Sequence, residues 1–109
     1  MGIKEDAGNL LGYIYNEYIK GNTITANDVL QGTEWGGIRA DIAVKYLRDI
    51  GAIKIDFFLG NLNGLQNFFI SGLTPVGIEI IENKSKFKNT FGVELNLAIL
   101  KFNFSKTEK

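Results

Sequence analysis

The residue types that carry most enzyme chemistry are missing from this chain or wrongly placed in it. There is no histidine and no cysteine, which removes the imidazole base, the thiolate nucleophile and the usual nitrogen and sulfur metal ligands. The serines are Ser71, Ser85 and Ser105, and none stands in a nucleophile-elbow pattern. Gly60-Asn61-Leu62-Asn63-Gly64 is rich in glycine but lacks the Lys-Ser/Thr ending of a phosphate-binding loop. The carboxylates Asp41, Asp49, Glu79 and Glu82 are spread over solvent-type helical positions rather than paired for acid–base work. The expectation is a protein that is not an enzyme and that needs neither a metal nor a cofactor. A lysine run, Lys84, Lys86 and Lys88 interleaved with Ser85, Phe87 and Asn89, offers positive charge. A solvated stretch is its simpler reading.

Composition narrows the class further. At 109 residues the chain is expected to be one domain, able to bury roughly 60 to 70% of its unfolded surface. With 45% apolar and 22% charged residues it is an ordinary globular composition. The start, Met-Gly-Ile-Lys-Glu-Asp, carries charge where a signal peptide needs an apolar run, and no apolar stretch approaches the ~20 residues of a spanning helix. A cytoplasmic protein without a membrane partner is expected. Twelve basic and twelve acidic residues cancel, and the isoelectric point is near 6.2. That balance counts mildly against nucleic acid, because affinity there comes largely from Lys and Arg neutralising phosphates.

The elements follow from periodicity. From Glu5 to Lys20, Ala7, Leu10, Leu11, Ile14, Tyr15 and Tyr18 recur at three- and four-residue spacing and predict an amphipathic helix that Gly21 ends. Thr25, with Asp28 three residues later, predicts the cap of a short second helix closing near Gly32. Trp35 reads as a hydrophobic plug ahead of a third helix, Gly36 to Ile50. On that helix Ala40, Ala43, Val44, Leu47 and Ile50 share a face that must find a core, and Gly51 sits where a left-handed residue ends the helix. Ala52 to Leu59 and Leu65 to Leu73 predict two strands joined at Gly60–Gly64 as a hairpin. Thr74 before Pro75 caps a fourth helix, Val76 to Asn83. Val93 to Phe104 reads as a long apolar strand, expected to pair with a second subunit or to extend the hairpin sheet.

Helix, short helix, helix, hairpin and helix, with Tyr46-Leu47-Arg48-Asp49-Ile50-Gly51-Ala52-Ile53 at the helix-to-strand junction and Leu73-Thr74-Pro75-Val76-Gly77-Ile78-Glu79 after the hairpin, resembles the winged helix-turn-helix superfamily. The resemblance implies an α+β fold: a winged-helix domain over residues 1–83, with a three-helix helix-turn-helix core, a β-hairpin wing and a fourth helix. Residues 84–109 follow as a C-terminal β-strand extension, a candidate dimerisation element. It also implies a transcriptional regulator that reads the major groove of double-stranded DNA with its third helix, as a homodimer. By position, the candidate DNA contacts are Thr33, Gly37, Arg39, Asp41, Lys45, Tyr46 and Arg48. Arg39 is the candidate for a guanine edge, Lys45 and Arg48 for phosphates, and Thr33 and Gly37 for phosphate approach at the helix start.

Two features point instead to a winged-helix module that binds protein. No lysine or arginine lies between Lys54 and Lys84, so the wing has no cation to offer a phosphate. Ile38 and Ile42 stand on the face of the third helix that would enter the groove. On this alternative the interface residues are Ile38, Ile42, Phe58, Leu62, Leu95 and Leu97. DNA binding is the leading expectation and protein binding its alternative.

Overall fold

The computed structural model describes residues 2–62 and 64–95. Helix α1 spans Ile3–Ile19, strand β1 Ile24–Thr25, α2 Ala26–Thr33, α3 Gly37–Asp49, β2 Ile53–Leu62, β3 Leu65–Leu73, α4 Pro75–Ile81 and α5 Lys84–Phe91. This is an α+β arrangement with one antiparallel sheet in the order β1-β3-β2. Among the described residues no helix is long and apolar enough to cross a membrane.

Local chemistry sets the element ends. Glu5 and Asp6 in the first turn of α1 suit the positive end of its dipole. At α2 the capping box forms: the Thr25 hydroxyl accepts from the Asp28 amide at 3.3 Å, and Asp28 Oδ2 accepts from the Thr25 amide at 2.9 Å. Gly51 takes the left-handed conformation, with φ of 77°, at the end of α3. Thr74 caps α4 by accepting from the Gly77 amide at 3.0 Å. The Thr74 hydroxyl also donates to the Gly51 carbonyl and its amide to the Ala52 carbonyl, so the end of β3 is tied to the start of β2.

The core lies where α1 meets α3 and the sheet. Ala7, Leu10, Leu11 and Ile14 of α1, Ala40, Ala43, Val44 and Leu47 of α3, and Leu65, Phe68, Ile70 and Leu73 of β3 are all buried. Ile50, expected on the inner face, is only half-buried beside this core. Ile24 and Thr25 pair with Ile70 and Phe69, making a third strand that two residues cannot announce by alternation.

β2 and β3 are not a regular hairpin. Phe57 pairs with Phe68 and Asn61 with Gln66, so Phe58, Leu59 and Gly60 stand opposite Asn67 alone. This bulge turns Phe58 and Leu59 outward, 49% and 97% exposed. Beyond it the turn comes back to α3: a Cβ at Gly64 would lie 3.4 Å from Ile38 Cγ1.

The largest departure from expectation follows residue 83. The lysine run read as a solvated stretch is helix α5, capped by Asn83, whose side chain accepts from the Lys86 amide at 3.0 Å. Its lysines do face solvent, but Phe87 and Phe91 are buried, their rings 4.8 Å apart, and both pack over Gly8 of α1. Two aromatics four residues apart mark one face of a helix. The core therefore continues past the boundary drawn at residue 83. Of the expected strand from Val93 to Phe104, residues 93–95 are not strand, and Val93 and Leu95 pack half-buried against the core. Residues 96–104 of that strand lie outside the described residues.

Two stability effects follow. Phe87→Ala leaves a cavity between α5 and α1 and is expected to lower the unfolding free energy by about 3–5 kcal/mol in urea titration, while Lys86→Ala leaves it nearly unchanged. A Cβ at Gly77 would sit 2.0 Å from the Ala52 carbonyl oxygen, a clash with backbone that side-chain movement cannot relieve. Gly77→Ala should therefore cost about 2–3 kcal/mol or more in the same assay, whereas Gly36→Ala, with open space around it, should cost far less.

Candidate functional site

With the α3 inner face buried against α1, the opposite face is presented to solvent. Ile38 is 71% and Ile42 42% exposed, one turn apart on that face. Ile3, 52% exposed, flanks them from the first turn of α1. The three isoleucines line an open groove of about 510 Å³ whose remaining walls include Asp6, Arg39 and Ala43.

Each cation of α3 has a carboxylate partner; the Arg39–Asp6 pair is anchored on a carboxylate with little exposure, and the Lys45 and Arg48 pairs are solvent-exposed ion pairs. Arg39 donates through Nε to Asp6 Oδ2 and through Nη2 to Asp6 Oδ1, both at 2.7 Å, and its guanidinium lies 4.5 Å from the centre of the Trp35 ring. The hydrogen bonds to Asp6 raise the Arg39 pKa further above its ordinary value, against a smaller opposing effect of burial. Lys45 Nζ is 3.1 Å from Asp41 Oδ2, an i,i+4 pair. Arg48 donates to Asp49 Oδ1 from Nε and Nη2 at 3.0 and 2.9 Å and lies over the Phe57 ring at 5.2 Å.

The other expected contacts are used by the fold. Thr33 donates to the Val29 carbonyl at 2.7 Å and accepts from the Trp35 amide at 3.2 Å, closing the end of α2. Gly37 is buried beneath the hairpin turn, and Tyr46 is half-buried against the core. Of the alternative set, Ile38, Ile42 and Phe58 are exposed, but Phe58 belongs to the β2 bulge and does not line the isoleucine groove. Leu95 is half-buried, with Cδ1 3.6 Å from where a Cβ at Gly12 would be. Leu97 and the side chain of Leu62 lie outside the described residues.

Sequence reasoning missed Asp6 and Ile3. Asp6 precedes Leu10 by four residues and so falls on the inner stripe of α1, a signal available from spacing. Its partner, thirty-three residues away, was not. Ile3 precedes three charged residues at the chain start, where no periodicity can be read.

A second, polar cleft is lined by Tyr13, Glu17, Asn22 and Asp28. Burial, then the charges of Glu17 and Asp28, push the Tyr13 pKa up. Its carboxylates are occupied, Glu17 by Lys20 and Asn22 and Asp28 by the α2 cap. Among the described residues no group of three or more acidic, histidine or cysteine side chains is placed to hold a metal ion.

Comparison with known proteins finds no matching family model, no matching curated protein and no matching solved structure.

Trp35 is the sole tryptophan and thus a reporter of this corner. Arg39→Ala should shift its fluorescence emission to longer wavelength as the stacked guanidinium is lost, and Asp6→Ala should shift it part of the way. Lys45→Ala, on a different flank, should leave the emission unchanged.

Proposed function

We propose that this protein is a winged-helix-type module that binds another protein surface through the outer face of α3. The observation that carries the reading is the exposed Ile38–Ile42 pair, joined by Ile3 along one groove, on a helix whose three cations are all engaged by carboxylates. Exposed isoleucines gain most when another apolar surface displaces their water. A major-groove reader needs cations that phosphates and base edges can claim. Here each contact of that kind would have to displace or share an existing counter-ion, and Asp41 and Asp49 would approach the phosphates as well. On this reading the protein works without catalysis, metal or cofactor, in the cytoplasm.

DNA binding keeps one observation in its favour. α2 and α3 are joined by only three residues, Glu34 to Gly36, and α3 leaves a whole face open to solvent in the manner of a recognition helix.

Two measurements separate the readings. Titration of mixed DNA fragments at low and moderate salt should show no salt-dependent binding; binding that is lost in Lys45→Ala and Arg48→Ala would establish groove reading instead. A photo-cross-linking amino acid at position 42, irradiated in expressing cells, should join the chain to protein. Adducts with nucleic acid, or none with any protein, would overturn the proposal.

A further inference from the structure

We infer that the partner of the α3 outer face is a second copy of this chain, paired about a two-fold axis that crosses α3 near Ala43, with Ile42 against its counterpart and Asp41 meeting the partner's Lys45. The inference rests on the protein-binding reading and names the occupant of that face.

A two-fold interface must fit its own image, so every group on it needs its complement on the same surface. The apolar requirement is met by Ile42, 42% exposed, which meets its own counterpart. The electrostatic requirement is met by charge pattern: Lys45 and Arg48 are balanced by Asp41 and Asp49. A face that bound phosphates would repel a copy of itself, whereas a neutral face of paired opposite charges does not.

The order of the charges along α3 selects the arrangement. When the two-fold lies in the contact plane across the helix, chain direction reverses while like flank meets like flank. The residue two positions before the axis then faces the residue two positions after it. With the axis at Ala43, Asp41 faces the partner's Lys45, and Lys45 faces the partner's Asp41. Each ion keeps its i,i+4 neighbour, now 3.1 Å away, and gains a second counter-ion, giving four alternating charges. Ile42 stands about 1.5 Å along the helix from the axis and meets its counterpart across it at the usual helix separation of about 8–10 Å. The Ile42 pair then excludes water beside the charge cluster, which strengthens it.

Sedimentation velocity over a range of concentrations tests this with the full chain. The wild type should show a reversible monomer–dimer equilibrium, and Ile42→Asp should weaken it by at least about tenfold. Asp41→Lys brings four positive charges together and Lys45→Asp four negative ones, so each variant alone should sediment as a monomer while remaining folded by circular dichroism. An equimolar mixture of those two variants should recover a dimer containing one of each, because each faces its opposite. Three results would overturn the inference: a wild type that stays monomeric to about 1 mM, a mixture that associates no better than its components, or a dimer indifferent to all three substitutions. A monomeric wild type leaves the protein-binding reading standing, since that reading fails on cross-linking from position 42 and not on self-association.

Discussion

Burial of α3 against α1 is the constraint from which the rest of this structure follows. Ala40, Ala43, Val44 and Leu47 on one helix and Ala7, Leu10, Leu11 and Ile14 on the other are sealed from water, and the alanines let the two backbones approach. Burial of this kind is the dominant favourable contribution to folding. Once that face is committed, helix geometry leaves no choice about the other. Ile38, Ile42, Lys45 and Asp49 must point outward, and any function α3 performs must be performed with them.

The junction between α3 and the sheet converts this packing into a fixed frame. Gly51 reverses the chain, Ala52 offers its carbonyl to the Thr74 amide, and Gly77 packs against that carbonyl at a distance no side chain would allow. The start of β2, the end of β3 and the start of α4 are thereby held at one point. From there β2 runs back alongside α3, and its bulge and turn bring Gly64 to the first turn of that helix. The hairpin is thus braced at both ends, which leaves Phe58 and Leu59 as the part of it turned to solvent.

What the sequence made legible was local. The α3 inner face, the Thr25 and Thr74 caps, Pro75 at the start of α4 and the full extent of β3 are each set by neighbours in the chain, through periodicity or capping chemistry that spacing displays. β1 was not legible because its two residues gain their conformation only from Ile70 and Phe69 across the sheet. α5 was obscured because alternating lysines imitate a strand edge or a solvated loop; Phe87 and Phe91 at i,i+4 spacing were the signal that outranked them. The candidate site was legible in its exposed isoleucines and only partly legible in its electrostatics. No local pattern reveals that Arg39 closes on Asp6, whereas Asp41 four residues before Lys45 and Asp49 next to Arg48 stand in the sequence at spacings that allow their pairing.

Arg39 shows why position on a helix does not settle what a side chain is for. Its place near the start of α3 suits a base-reading arginine, and its guanidinium has the planar fork that such reading uses. The same fork fits Asp6, a carboxylate with little exposure of its own, which would stand unpaired beside the core if Arg39 turned outward. Trp35 lies against the guanidinium, so part of its in-plane hydrogen bonding and one of its faces are used within the protein. What α3 has left to offer an external partner is apolar surface with charges that cancel. The proposed protein partner, and the proposed pairing with a second copy, both rest on that combination.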